Sequence, residues 1–493
     1  MRDFTRVFLA ILAALVTAGI LWLYLSVPYG AATAKSLDSF RETLLRYLAI
    51  IASFYLLLIA SLVIPASMMA AGVAVASAGG IPAKKVSLKA GALSLALLFI
   101  ASFLGVFACF LSFELADALD LSMPWQGKVL AESSVDYSPK VFLKERILSF
   151  LSLSKGATAL LYTQGVDPLL LLLFTLLFAA IVAGTRQGST LRSLCIDGDE
   201  GMSSLFKGLT YWLAPTGIFL LVFTTVLMAW PKEFSFFSLF AALALLLLLF
   251  IELFLLLLLA LKQQKVSPNY LLRSLRLPYV MAFGLGSSLL TLPQTMESSE
   301  ECLALSPLER GIAVPVSTVL ARVGTASTVA YVAMASLYVL GDVQYYYFPI
   351  VAVASALFSI FGFAVSGGAA VLVLASASTV VWGSSIVSSA VVEVSFLAVL
   401  GMKVAAVVDV TAVAVASLLI RRGAIPEDLD PDLDDRELIH LARQRRRRFL
   451  RSHSLRKGGG RKQQRSKPKP KSKPMPKSKP MPKPKKRDRP PRK

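Results

Sequence analysis

Histidine is almost absent from this chain, and the absence is local. Both copies, His440 and His453, lie in a polar tail, so residues 1–439 offer no imidazole as metal ligand or general base. Cysteine is scarce too. Cys109, Cys195 and Cys302 stand far apart, without the paired spacing of a metal or redox site. No P-loop, zinc-hydrolase or nucleophile-elbow pattern occurs. These gaps leave no catalytic residue, metal site or cofactor to name, and the chain reads as a non-enzyme. Charge is the third shortage: 16% of the residues are Asp, Glu, Lys or Arg, whereas 56% are hydrophobic and the mean hydropathy is +0.67. A soluble chain of this size carries far more charge. Missing as well is the ten-residue alternation of an outer-membrane barrel. What remains is an all-α polytopic membrane protein.

The formal net charge of +21 is not spread evenly. Of the 51 Lys and Arg residues, 27 follow residue 420, together with 8 of the 30 acidic residues. The membrane part is therefore nearly neutral, and the basicity belongs to a tail. Residues 427–437 of that tail are acidic, residues 436–451 are potentially helical and end in four arginines, and from Gly458 onward the chain is Lys, Pro, Ser and Met with KSKPMP occurring twice. Such a composition cannot bury a core and reads as disordered, with polyproline-like stretches. It suits a solvated tail that fixes orientation in the cytoplasm. A second reading is contact with anionic lipid, which attracts juxtamembrane lysines and arginines. Nucleic acid is not expected as a partner, because aromatic residues for base stacking are missing.

Runs of about 18–20 apolar residues mark spanning helices. They fall at 4–27, 44–77, 90–113, 167–184, 208–230 and 235–261. The first is too long for a signal-peptide core and is read as retained. Residues 114–166 are more polar and read as an excursion, with a short helix around 139–161. The segments 78–89, 185–207 and 262–276 read as basic loops, which the positive-inside rule places in the cytoplasm, with both termini inside an inner or plasma membrane.

Beyond residue 276 the pattern changes. Two apolar segments are interrupted by small and polar residues, 282–293 (AFGLGSSLLTLP) and 360–370 (IFGFAVSGGAA), the latter followed by a Ser/Thr-rich run at 375–389. Each reads as a hairpin that enters the membrane and turns back, and each precedes a helix, at about 312–340 and 391–420. Irregular backbone at membrane depth is tolerated only against protein or a cavity. Paired broken segments suggest inverted repeats around a transport site. Small residues that merely let helices pack closely are the plainer explanation. The chain divides on this reading into 1–261, helices one to six; 262–420, the core transport region; and 421–493, the tail.

Several motifs then fall in a known order. Ala282-Phe283 is followed, after three residues, by Ser287-Ser288-Leu289, Thr291-Leu292-Pro293 and Thr295-Met296. Ala214-Pro215-Thr216-Gly217-Ile218-Phe219 matches an Ala-Pro-x-Gly-x-Phe helix. Pro315 precedes Ala321-Arg322-Val323-Gly324-Thr325, in register with an Asn-Met-Asp-Gly-Thr break. Ser366-Gly367-Gly368-Ala369-Ala370 stands at the second tip, and Val408-Asp409-Val410-Thr411 matches Val-Asn-Val-Thr. In these features the chain resembles the dicarboxylate/amino acid:cation symporters, which include glutamate and aspartate transporters. The resemblance implies eight transmembrane helices, two re-entrant hairpins, a scaffold with a mobile transport domain, an elevator motion and a homotrimer. It also departs from the family. Ala321 and Val323 replace cation-site Asn and Asp, and the eighth-helix acids and substrate arginine fall on apolar positions near Met402, Ala405 and Val413. Sodium ligands are thus largely missing, and coupling to sodium or to protons stays open.

A charge at the bilayer centre costs roughly 3 kcal/mol or more, so charges there are paired or functional. Arg322 stands where the family binds a cation. Its guanidinium either replaces that ion and pairs with Asp409, or forms a structural ion pair with it. Lys403 either binds an anionic substrate or is structural, and Glu252 is either a scaffold residue or a proton carrier. Ser287, Ser288, Gly324, Thr325, Ser366, Gly367, Gly368 and Asp409 are the substrate-binding candidates, since hairpin tips expose backbone N–H groups that attract a carboxylate. The expected function is secondary active transport of a small organic anion or amino acid. A non-transporting membrane scaffold or sensor is the alternative.

Overall fold

The computed structural model describes residues 2–26, 31–78, 80–119, 168–184, 190–229, 236–264, 266–303, 305–339, 347–361 and 386–421. Every described element is helical. The order is α1 (Arg2–Ser26), α2 (Ala31–Ala78), α3 (Gly80–Ala118), α4 (Pro168–Gly184), α5 (Thr190–Trp212), α6 (Ala214–Ala229), α7 (Phe236–Gln264), α8 (Pro268–Ser274), α9 (Arg276–Leu285), α10 (Leu292–Glu301), a π-helical turn (Glu309–Ala313), α11 (Val314–Leu320), α12 (Val323–Val339), α13 (Tyr347–Phe361) and α14 (Ile386–Ile420).

Six spans are long and apolar enough to cross a membrane, or seven if α5 and α6, bent by 60° at Leu213, count together. On α1 the outward stripe is Phe8, Leu12, Val16 and Ile20, and on α7 it includes Leu243, Leu247, Phe250 and Phe254. Large apolar side chains left outside at helical spacing require an apolar solvent. The centre is different. The span from Glu309 to Ala335 is 94% buried, against 22% for α1. It runs through the π turn, α11 and α12, and packs against α3 and α14, while α7 and α9 cover other faces of α14. On the far side α1 lies along α6, and α2 along α4, α5 and α6.

Several boundaries differ from expectation. Residues 190–207, read as loop, belong to α5. Their polar residues alternate with a buried face of Cys195, Asp199, Phe206 and Thr210, which an average hydropathy hides. Lys84, Lys85 and Lys89 lie in the first turns of α3 rather than in a loop, because exposed lysines are good helix formers. The span expected at 44–77 is part of a helix reaching back to Ala31, and the helix expected from 391 starts at Ile386. The helix expected over 312–340 is interrupted at Ala321 and Arg322. The short helix around 139–161, the second hairpin with Ser366, Gly367 and Gly368, and the tail from 422 lie outside the described residues.

Candidate functional site

The first interrupted segment is a helix–tip–helix unit. α9 ends at Gly286, whose φ of 65° and ψ of 24° lie in the left-handed region that only glycine adopts without cost. The tip, Ser287–Thr291, is buried, and Thr291 Oγ1 donates to Ser288 O at 2.9 Å. Pro293 lies in the first turn of α10, where its missing N–H costs no hydrogen bond.

The second interruption lies between α11 and α12. α11 closes with Ala321 N donating to Ser317 O at 2.6 Å, and α12 opens with Ala326 N donating to Arg322 O at 2.8 Å. The residues between them carry the break. Gly324 meets α14 backbone to backbone: a Cβ there would sit 2.6 Å from Ala405 O and 2.8 Å from Val408 Cβ. This close approach brings the first turn of α12 onto Asp409.

Asp409 joins the two interruptions. Its Oδ1 accepts from Thr325 N at 3.1 Å, and its Oδ2 accepts from Thr325 Oγ1 at 2.5 Å and, more weakly, from Ser288 Oγ at 3.5 Å. A carboxylate here satisfies free N–H groups at a helix start and lies at the positive end of the helix dipole. Four of the residues predicted for the site, Ser288, Gly324, Thr325 and Asp409, thus meet at one place. Ser287 sits beside them, buried, with no hydrogen-bond partner for Oγ among the described residues.

The cations take up carbonyls nearby. Arg322 Nη1 donates to Ser359 O on α13 at 2.6 Å, and its charge and that of Asp409 attract each other. Lys403 Nζ donates to Gly284 O at 3.3 Å, in the last turn of α9, where the helix dipole favours a positive charge. Lys403 and Asp409 do not meet, as their six-residue separation on α14 predicts. Glu252 Oε2 lies 2.9 Å from Ser327 Oγ. Ala321 and Val323, at the break, are buried and apolar.

A second cluster escaped the sequence reading. Arg310 in the π turn forms a bidentate pair with Asp199 on α5, at 2.7 and 3.0 Å, and a further ion pair with Glu300 on α10 at 3.1 Å. Lys207, two turns along α5, pairs with Glu297 and lies 3.9 Å from Glu301. Asp199 stands in an acidic run and Arg310 next to Glu309, so each resembles an ordinary loop charge. The signal available was that Arg310 directly precedes an apolar stretch. Among the described residues no group of His, Cys, Asp and Glu is placed to hold a metal ion.

The profile of the sodium:dicarboxylate symporter family matches residues 4–422, from α1 to just beyond the end of α14. The chain belongs to the sodium:dicarboxylate symporter family. No curated protein matches it in sequence. Membership makes it a multi-pass membrane protein of a secondary-transporter family and, by implication, not an enzyme. Within this symporter family the match covers both interruptions and Asp409, and it stops where the basic tail begins.

Proposed function

We propose that this protein is a secondary active transporter for a small organic anion or amino acid, working without sodium. The observation that carries the reading is the convergence of the first hairpin tip, the α11–α12 break and α14 on Asp409. A site assembled from half-helix ends is how broken helices hold small charged solutes. Ser287 Oγ, buried and unpartnered among the described residues, offers a hydrogen bond to such a solute at the tip. Lys403, one helix end away, supplies positive charge. Ser366, Gly367 and Gly368 complete the site from the second tip on the family pattern. The rest of the architecture follows the same pattern: eight helices and two re-entrant hairpins in inverted repeats, an elevator motion, a homotrimer, a core region at 262–420 and a cytoplasmic tail from 421.

Sodium independence rests on Arg322. A buried guanidinium beside a prospective cation site repels a second positive charge strongly at low dielectric. Ala321 and Val323 contribute no side-chain oxygen there. Arg322 fills the place of the ion and balances Asp409. The test is uptake of L-aspartate and of succinate by proteoliposomes with sodium or choline outside. Equal uptake in the two salts is expected, and strict dependence on sodium overturns the proposal. One observation favours the scaffold reading: Asp409 and Thr325 satisfy each other's polar atoms. Failure of every organic anion and amino acid tested to raise Tm or enter vesicles would decide for it.

A further inference from the structure

Glu252 is a buried acid that the site above leaves unused. It lies midway along α7 on the face that carries Leu245, Leu249 and Leu256, and it is 3% exposed. Its Oε2 is 2.9 Å from Ser327 Oγ, while Oε1 has no hydrogen-bond partner among the described residues. Ser327 Oγ also lies 3.1 Å from Gly324 O. A hydroxyl carries one proton, and a carbonyl and a carboxylate are both acceptors only. That one proton serves the carboxylate, the carbonyl or both as a shared bond, whereas a second proton on the Glu252 carboxyl gives each contact its own. The arrangement is complete when the Glu252 carboxyl is the acid: it donates to Ser327 Oγ, and Ser327 donates to Gly324 O.

The neighbours point the same way. Among the described elements, those packed most on α7 are α3, α8, α12 and α14. From α14 come Asp409 and Lys403, and Lys403 Nζ donates to Gly284 O. From α12 come Ser327 and Tyr331, whose hydroxyl donates to Ala241 O. On α3, Cys109 is buried, whereas Lys84, Lys85, Lys89, Glu114 and Asp117 are exposed, as is Arg273 on α8. Arg322, at the break, donates to Ser359 O. Among the described residues, the charge that bears on Glu252 is that of Asp409, of the same sign. An ionised carboxylate without a cation or several donors is strongly disfavoured in an apolar interior and takes up a proton instead.

We propose that Glu252 is a proton-binding site of this transporter, linked to Asp409 through the first turn of α12. The proposal rests on the sodium-independent reading and names the ion that takes over from sodium. Loss of the proton breaks the Glu252–Ser327–Gly324 chain and sets a second negative charge near Asp409, at the turn where α12 begins. Occupancy of Glu252 and the geometry of the break are thereby coupled.

Two measurements on the full chain test this. Infrared difference spectroscopy of the purified, substrate-free protein across a pH titration reports the carbonyl stretch of a protonated carboxyl. The wild type is expected to show a titrating band that Glu252→Gln lacks and Glu252→Asp keeps. Identical spectra for wild type and Glu252→Gln overturn the proposal. In sodium-free proteoliposomes loaded by an acid-outside gradient, uptake of L-aspartate or succinate is expected to rise about tenfold over the ungraded control for wild type and Glu252→Asp. Glu252→Gln is expected to lose that stimulation. Stimulation of Glu252→Gln equal to wild type also overturns the proposal. Absence of uptake in every protein overturns the transport reading instead, and the spectrum still decides whether Glu252 binds the proton.

Discussion

Asp409 does for the first turn of α12 what a bound anion does for a free helix N-terminus. Its two oxygens hold the Thr325 amide and hydroxyl, and its charge faces Arg322. Asp409→Asn keeps an acceptor for Thr325 but removes the charge that faces Arg322, and is expected to cost about 1–3 kcal/mol. Asp409→Ala removes the acceptor and leaves Arg322 without its counter-charge, with an expected loss of about 3–5 kcal/mol. Thermal unfolding in detergent should rank wild type above Asp409→Asn and both above Asp409→Ala. An unchanged Tm for Asp409→Ala contradicts the pairing. Gly324→Ala probes the same turn through sterics, since the added methyl collides with Ala405 O and Val408. Overpacking at such a contact costs about 1–3 kcal/mol. The drop in Tm should persist when Val408→Ala is added, because alanine keeps the Cβ that the new methyl meets and the Ala405 backbone stays in place. At this scale the sequence was partly legible. Charges inside apolar runs are rare enough to name Arg322, Lys403, Asp409 and Glu252 directly. Their partners were not legible, because Ser359 O and Gly284 O are backbone groups that every residue possesses. Ser327 is one serine among many.

The elements show where hydropathy succeeds and where it fails. Long uniform helices such as α1, α3 and α7 stand out because an apolar run of that length has one stable outcome in lipid. The tip at Gly286–Thr291 stood out because Gly and Ser cluster there, with Pro293 just after it. α5 was hidden: its buried face alternates with polar residues, so its average resembles a loop. Its charge ladder to α10 and the π turn therefore had no sequence signature. That ladder makes a prediction of its own. Arg310→Met deprives the buried Asp199 of its bidentate partner and should destabilise by about 3–5 kcal/mol. Asp199→Asn added to it should recover part of the loss, with a coupling of about 0.5–3 kcal/mol in a double-mutant cycle of unfolding free energies. Additive effects would mean that the two residues act apart.

For the whole molecule, the family match ends at residue 422, where the surplus of basic residues in the sequence begins. Arg421 Nη1 donates to Leu303 O, which ties the end of α14 to the stretch after α10. We expect the tail to raise binding to vesicles of anionic lipid over neutral ones, at about 1 kcal/mol per basic residue near the surface. Flotation of a peptide spanning 422–493 should show this, and high salt should abolish it. Equal binding to neutral vesicles would assign the tail to the aqueous phase. Arg322 has a different consequence at this scale. A coupling ion dissociates, so a carrier crosses the membrane charged in one direction and uncharged in the other. A guanidinium fixed to the chain and bonded to Ser359 O travels with the chain in both directions. The membrane potential performs no net work on it over a closed cycle. On the proposed sodium-independent reading, this position gives the protein no means of drawing on voltage, and the driving force for any accumulation enters elsewhere.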